Sequence, residues 1–353
     1  MGFTGNNMRI IHTADLHLDS ALGTNLNNLK QKERKRELLL NFERLIDYSK
    51  IHHVDAIIIS GDLFDKTRIA VKVIDYVFNL INDNPNIDFI LITGNHDEST
   101  FIDSIEFIPT NLKVFDNDFS TVKYGNIAIT GINYQDKYNY SNLKLNKDDI
   151  NIVAMHGDIN TNIDLNKLKN KNIDYLALGH IHKYSKGELD DRGIYAYPGT
   201  LEGRGFDEAG DKGFILLDVT DEITMKFVSF AKRKLHDVSI NITNIDNYHD
   251  IRRNIDLKLN DISPDDMVKL RLTGYYDLGL IKQNEMLEES LNEKFYFGKI
   301  YDESKLKINP RDYENDISLK GEFIRNVLAS DMPEDDKNMV IEYGIKALLK
   351  EEI

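Results

Sequence analysis

Apolar residues recur along the chain in two rhythms. Short runs rich in β-branched residues, RIIHTA (Arg9–Ala14) and DAIIIS (Asp55–Ser60), flank a longer stretch from Leu29 to Lys50 in which Leu38, Leu39, Phe42, Leu45 and Ile46 share one helical face. The runs read as strands and the stretch as an amphipathic helix, together a β-α-β unit. A second helical stretch, Ile69 to Asn82, leads to FILIT (Phe89–Thr93), and NIAITG (Asn126–Gly131), INIVAMHG (Ile150–Gly157) and DYLALGH (Asp174–His180) continue the series. GIYAYPGT (Gly193–Thr200) and KGFILLDVT (Lys212–Thr220) read as antiparallel strands closing the domain. Strands that are apolar throughout imply a sheet covered on both faces, an α/β layered architecture.

Near residues 231–236 the pattern changes. HDVSINIT, a helical YHDIRRNIDLKL and MVKLRLTGYY read as a small β-α-β module without clustered metal-ligand types, followed by the acidic helical NEMLEESLNEKF and the strand YFGKIYDE. Two amphipathic helices fill the tail: Leu319, Phe323, Val327 and Leu328 share a face in one, and Val340, Tyr343, Ala347 and Leu348 in the other. Pro333 and the three acids after it mark the start of the second. The expected segments are 8–231, 232–305 and 306–353.

With 353 residues the chain can form one large domain and a smaller one, with an interior that excludes water. No apolar run approaches the length of a membrane span and no signal peptide is read. The polar opening MGFTGNN, before Met8, is set aside as an expression scar or a ragged start. The chain has no cysteine, which excludes disulfides, thiolate metal sites and thiol nucleophiles and leaves His, Asp, Asn and Glu for metal chemistry. A cytoplasmic address follows as the expectation. A net charge of −15 argues against coating nucleic acid through bulk positive charge, but not against local contacts to it. The basic runs KQKERKRE (Lys30–Glu37) and KRK (Lys232–Lys234) are interspersed with or bordered by acids or apolar residues, so each reads as a solvated face at least as well as a phosphate track.

The strand ends change the picture. TGNHDEST (Thr93–Thr100) read alone is a polar turn, because Gly and Asn suit turns and Asp caps helices. The first strand, however, ends in ADLHLD with Asp15 and His17, and the second in SGDLFD with Asp62 and Asp65. The third delivers Asn95 and His96, a later one His156 in MHGD, and the next His180 and His182 in GHIH. A lone His156 would be a hydrogen-bonded core residue, but five ordered coincidences at carboxyl ends, where α/β sheets bind ligands, read as a site. Imidazoles, carboxylates and an amide together suit manganese, iron or zinc and exceed the needs of one cation. Two metals about 3.5–4 Å apart, sharing one carboxylate, fit this set and imply phosphoester hydrolysis.

The ordered set DxH, GDxxD, GNHD, H and GHxH resembles the calcineurin-like metallophosphoesterase superfamily over roughly the first two thirds of the chain. IIHTADLHLDS and YPGTLEGRGFDEAGDKGF (Tyr197–Phe214) are similar to bacterial DNA repair exonucleases of the SbcD and YhaO type. The resemblance implies a layered β-sandwich flanked by helices, a small α+β DNA-capping domain and C-terminal helices. It implies that Asp15, His17 and His182 hold one metal, Asn95, His156 and His180 the other, and that Asp62 bridges them. His96 would protonate the leaving 3′ oxygen, and Asp65 would accept a hydrogen bond from it and orient its ring. Many relatives carry His at the Asp65 position, which bears on the balance of exonuclease and endonuclease activity. The implied cofactors are two divalent ions, manganese first, with iron, magnesium or zinc as alternatives. The implied partners are DNA, an SbcC-like coiled-coil ABC ATPase docking on the tail helices, and a second copy of the chain.

Other residues read more plainly. Asp97 and Glu98 are expected to cap the helix after the motif or bind neighbouring groups, and Asp19 and Asp158 to end turns. His12 reads as a packed, hydrogen-bonded strand residue, and His52, His53, His236 and His249 as solvated or structural. Gly199, Arg204 and Phe206 belong to a loop that shapes a groove or satisfies a tight turn. A small-molecule or cyclic-nucleotide phosphodiesterase is the alternative, against which the extra module and tail count. A protein phosphatase fits less well, because GDLFDKTR and GNHDE depart from its GDxxDRG and GNHE, and a metal-free scaffold is weakened by the complete ligand set.

Overall fold

Successive side chains of a strand point to opposite faces of its sheet, and the long apolar runs obey this rule in three layers. In β1 (Met8–Thr13), β2 (Ala56–Ser60) and β3 (Asp88–Ile92), Ile11, Ile57, Ile59, Phe89 and Leu91 face the helices α1 (Asn28–Ile51) and α2 (Val71–Asn82), with Leu38, Phe42, Leu45, Val77 and Phe78. Their alternates Ile10, Ala56, Ile58, Ile90 and Ile92 join a middle core with Ile127, Ile129, Ile152, Ala154, Tyr175 and Ala177. On the far side Val153, Met155, Leu176 and Leu178 pack with Tyr138, Tyr140, Ile163 and Tyr197. Both faces of every central strand are therefore apolar, which is why these runs do not alternate in the sequence.

The coordinates are a computed structural model that describes residues 7–20, 26–65, 69–97, 108–277, 280–307 and 313–349. They divide into two compact units, Met1–Leu235 and His236–Ile353. The first is a sandwich of two six-stranded sheets. One runs β12-β11-β1-β2-β3-β4, with β4 (Leu112–Val114), β11 (Gly213–Val219) and β12 (Ile223–Ser229). The other runs β5-β6-β7-β8-β10-β9, from β5 (Ser120–Tyr124), β6 (Ile127–Gly131), β7 (Ile150–His156) and β8 (Tyr175–Gly179) to β10 (Ile194–Tyr197) and β9 (Ser185–Glu188). β1, β2, β3 and β4 are parallel, as are β6, β7, β8 and β10, and β11 and β12 close the first sheet antiparallel. The strand read from GIYAYPGT, β10, pairs antiparallel on one side only and lies parallel to β8 on the other. The unforeseen strand β9, antiparallel to β10, absorbs the chain reversal.

In the second unit, β13 (Leu235–Asn241), β14 (Met267–Thr273) and β16 (Phe297–Asp302) form a three-stranded sheet, and the short β15 (Tyr275–Tyr276) pairs parallel with β17 (Lys305–Leu306). Helices Tyr248–Lys258 and Asn284–Lys294 bury Ile251, Ile255, Leu287 and Leu291 in the same core as Leu270 and Ile300. Tail helices Leu319–Leu328 and Glu334–Leu349 add Ile324, Val327, Ile341 and Ile345 to it. The face shared by Val340, Tyr343 and Leu348 on the last helix is not the one that enters this core. Ile341 and Ile345 lie inside, whereas Val340, Tyr343 and Leu348 are exposed, because the helix carries a second apolar stripe and only one faces the core. No helix among the described residues is long and apolar enough to cross a membrane.

Candidate metal centre

The parallel strands point their carboxyl ends to one edge of the sandwich, where backbone hydrogen bonds lace the loops together. Asp15 N donates to Gly61 O at 3.0 Å, His17 N to Asp62 O at 3.0 Å and Gly157 N to Gly179 O at 3.1 Å. Asp15, His17, Asp62 and His180 all have positive φ (53°, 45°, 53° and 102°), a costly backbone for these residue types that turns each side chain sharply off its strand. Close approach adds a second constraint at Gly94, where a Cβ would fall 2.1 Å from Asp62 Oδ1.

The structure brings all nine expected residues together. Ligand atoms of Asp15, His17 and His182 lie within 4.8 Å of one another, as do those of Asp15, Asp62 and His156. His17 Nε2 is 3.2 Å from His182 Nε2, and His182 Nε2 is 3.9 Å from Asp15 Oδ1. Asn95 Oδ1 lies 3.0 Å from His156 Nε2 and 3.1 Å from His180 Nδ1. Between the sets sits Asp62, whose Oδ2 is 3.6 Å from His17 Nε2 and 3.5 Å from His156 Nε2. Its other oxygen, Oδ1, accepts from His96 N at 2.8 Å.

Neighbours fix the ring orientations. His156 Nδ1 donates to the Ser60 carbonyl at 2.8 Å, so Nε2 is the nitrogen turned toward Asp62 and Asn95. Tyr138 supports the same residue by donating to the His156 carbonyl at 2.6 Å. Asp65 Oδ1 is 3.1 Å from His96 Nδ1 and 3.6 Å from His17 Nδ1, so His96 is the closer partner. On the opposite rim, Glu208 Oε1 lies 2.8 Å from His182 Nδ1 and accepts from Arg204 Nη2 at 2.9 Å, while Lys212 donates to the His182 carbonyl.

The electrostatics are those of a cation site. Burial would raise Asp62, but hydrogen bonding and attraction from His156, with His17 and His96 N, hold it at about 2. Burial would lower His156, yet Asp62, Asp15 and the Ser60 carbonyl carry it to about 9. A proton is thus held strongly where two buried carboxylates converge, the behaviour of a set built around positive charge. Burial raises Asp15, with His156 opposing and Asp62 adding, and burial followed by His156 lowers His180. His17 foremost, then Arg204 and His96, outweigh burial to hold Asp65 below the carboxylate range. Burial would raise Glu208, but His182 and Arg204 bring it to about 2. Oxygen and imidazole donors at these separations fit divalent cations.

The remaining polar residues take structural tasks. Asp97 accepts from Gly94 N at 2.9 Å, Phe64 N at 3.0 Å and Leu63 N at 3.3 Å, tying the β3 loop to the β2 loop. Glu98 and the segment after it, where a helix cap was expected, lie outside the described residues. Asp19 accepts from Ala70 N and Asp158 from Asn160 N, as loop braces. His12 is buried against Tyr175, His236 bonds Asp266 at 2.9 Å, and His52, His53 and His249 are exposed. Sequence reasoning missed Glu208. No spacing announces an acid in a glycine-rich loop as the partner of a histidine 26 residues away; its only signal is its place next to Arg204 and Phe206 in the YPGT…GF loop.

The family model for calcineurin-like phosphoesterases matches residues 8–184, just over half of the chain. The chain is 29% identical over 263 residues to the metallophosphoesterase YhaO of Bacillus subtilis, covering 65% of this chain and 61% of that one. It is 26% identical over 270 residues to the DNA double-strand break repair protein Mre11 of Sulfolobus acidocaldarius, 68% of each chain. A 93-residue stretch is 34% identical to the SbcD component of the nuclease SbcCD from Staphylococcus saprophyticus, covering 26% of this chain and 23% of that one. The chain thus spans about three fifths of the length of the Bacillus relative.

Proposed function

The chain belongs to the calcineurin-like phosphoesterase family, a family of divalent-metal enzymes, and we propose that it is a manganese-dependent DNA nuclease. In this reading it processes DNA ends in repair, in the cytoplasm, with an SbcC-like coiled-coil ATPase. The observation that carries the two-metal part is Asp62 Oδ2, which faces His17 Nε2 at 3.6 Å and His156 Nε2 at 3.5 Å. One carboxylate oxygen between two ligand sets is the arrangement a shared ligand needs.

Asp15, His17 and His182 would hold one ion, Asn95, His156 and His180 the other, and Asp62 would serve both. A pair of divalent ions supplies positive charge to the phosphoryl oxygens and lowers the pKa of water. His96 stands outside the ligand sets, with Nδ1 toward Asp65 at 3.1 Å. With the Asp65 carboxylate beside Nδ1, Nε2 would be the atom that carries a proton to the leaving 3′ oxygen.

Nucleic acid as substrate draws support from the relatives, two of which are a DNA double-strand break repair protein and a nuclease component. The second unit is taken as the DNA-capping module. For the ATPase we assign the exposed stripe of the last helix, Met339, Val340, Tyr343 and Leu348, as the docking surface. The test is a manganese-supplemented assay on linear duplex and hairpin DNA, with His96→Ala and Asp62→Ala as controls, run with and without an SbcC-like partner. Cleavage lost in both variants supports the reading. Hydrolysis of bis-p-nitrophenyl phosphate with DNA left intact would overturn the nuclease assignment in favour of a small-molecule phosphodiesterase.

A further inference from the structure

The loop between β10 and β11 wraps His182 from outside the ligand sets. Glu208, 6% exposed, sits in a single 3-10 turn, Phe206–Glu208, and directs Oε1 at His182 Nδ1. The same ring nitrogen has a rival neighbour, Arg204 Nη2, at 3.2 Å against 2.8 Å for the carboxylate. A carboxylate only accepts and a guanidinium only donates, so the two neighbours select opposite tautomers. With Nδ1–H donated to Glu208, Nε2 keeps its lone pair and faces Asp15 and His17. With Nδ1 accepting from Arg204, Nε2 carries the hydrogen and cannot ligate.

We propose that Glu208 is a positioning residue that selects the metal-ligating tautomer of His182 against the competing donor Arg204. Its carboxylate acts twice. It takes the closer place at Nδ1, and it occupies the guanidinium itself, accepting from Arg204 Nη2 at 2.9 Å, Nε at 3.2 Å and the Arg204 backbone N at 2.9 Å. Charge-assisted bonds of this length outweigh the longer contact between Arg204 and the ring. Lys212, 4% exposed, fixes the other end of the residue by donating to the His182 carbonyl, so the ring has little freedom to escape the choice.

The inference rests on the two-metal reading above, and its test separates the two. Tautomers are read in metal-free protein by 15N NMR of labelled histidines, with His182 assigned by its loss in His182→Ala, and Mn²⁺ affinity by calorimetry. Wild type should show His182 as Nδ1–H. Glu208→Ala should move it to Nε2–H and weaken one Mn²⁺ site about 10- to 100-fold, the usual effect of removing a ligand's orienting partner. Removing Arg204 as well, in the double Ala variant, should restore part of the affinity. Glu208→Gln, neutral and left with one acceptor oxygen for the guanidinium, should fall between wild type and Glu208→Ala, and it carries the test if the Ala variant melts too low to study. Wild-type tautomer and wild-type affinity in Glu208→Ala, or in Glu208→Gln, would overturn the proposal. Fewer than two equivalents of Mn²⁺ in wild type would instead overturn the two-metal reading beneath it, and two full equivalents in His182→Ala would overturn the role of His182 as a ligand.

Discussion

Asp65 Oδ1 meets His96 Nδ1 at 3.1 Å, joining the loop after β2 to the residue that follows Asn95. In the proposed reading this contact divides labour inside one short motif: Asn95 would serve as a ligand, and His96, whose ring lies 5.1 Å from that of His17, would carry the proton. His96→Ala is expected to lower kcat on a phosphodiester by about two to four orders of magnitude while binding Mn²⁺ with wild-type stoichiometry. Asp65→Asn should lower kcat by less, because the ring remains and only its orientation is lost. Metal stoichiometry by calorimetry beside kcat checks both, and equal metal loss in His96→Ala and Asp62→Ala would contradict the division.

Gly94 leaves room for the Asp62 carboxylate, the ligand proposed to be shared. A methyl group there would fall 2.1 Å from Asp62 Oδ1 and 2.6 Å from Asp62 N, and neither the backbone nor a carboxylate bonded to His96 N can step aside. Gly94→Ala is therefore expected to weaken both metal sites together. Calorimetric titration that finds one site intact would show that Asp62 is not common to the two.

His12 gives the middle core an acid limit. Burial pushes its pKa down to about 3, with the Leu178 backbone opposing, and its Nδ1 meets Tyr175 Oη at 2.8 Å. Because the folded pKa lies below the unfolded value of 6.5, the unfolded chain binds the extra proton, and stability falls as pH drops from 6.5 toward 3. This one group should cost about 3 kcal/mol between pH 7 and pH 4. Urea unfolding of wild type and His12→Gln at both pH values measures it, and the variant should lose less stability on acidification.

Glu37 compensates two buried cations. It pairs with Arg34 and Arg233, each almost fully buried, and Arg233 Nη2 lies 2.7 Å away. Glu202 joins the network through Arg34 at 3.2 Å, tying α1 to the segments at residues 202 and 233. Burial would raise Glu37, but Arg233, Lys232 and Arg34 hold it at about 2. Glu37→Ala should destabilise the fold by roughly 3–5 kcal/mol, the range for breaking a buried pair and stranding its partners. Denaturant unfolding at neutral pH tests this, and a loss under about 1 kcal/mol would show that water reaches the arginines.

The strands β1, β2, β3, β7 and β8 could be read from the chain because burial on both faces leaves an unbroken apolar run, a signal carried by neighbouring residues. Their ends could be read for the same local reason: DxH, GDxxD, GNHD and GHxH each place the chemistry within a few residues of a strand terminus. β9 escaped for its exposed positions and little apolar contrast, and β12 because its partly buried Ile223, Met225 and Phe227 alternate with exposed Thr224 and Lys226 instead of forming an unbroken apolar run. Glu208 escaped because its meaning lies in His182, which the chain reaches only through the turn after β8 and the hairpin of β9 and β10.

By itself the sequence determined the strand series, the order in which ligand types appear at strand ends, and the absence of thiolate chemistry. Each of these is a property of adjacent residues, set by side-chain size, polarity and backbone preference. Only the tertiary structure decided that the ligand strands belong to two sheets, that Asp62 Oδ2 faces both His17 and His156, and which stripe of the last helix is buried. It also decided the partner of each imidazole: Ser60 O for His156, Asp65 for His96, Glu208 for His182. A ring's tautomer depends on which group lies within about 3 Å of each nitrogen, and distances across strands exist only once the sheets have packed.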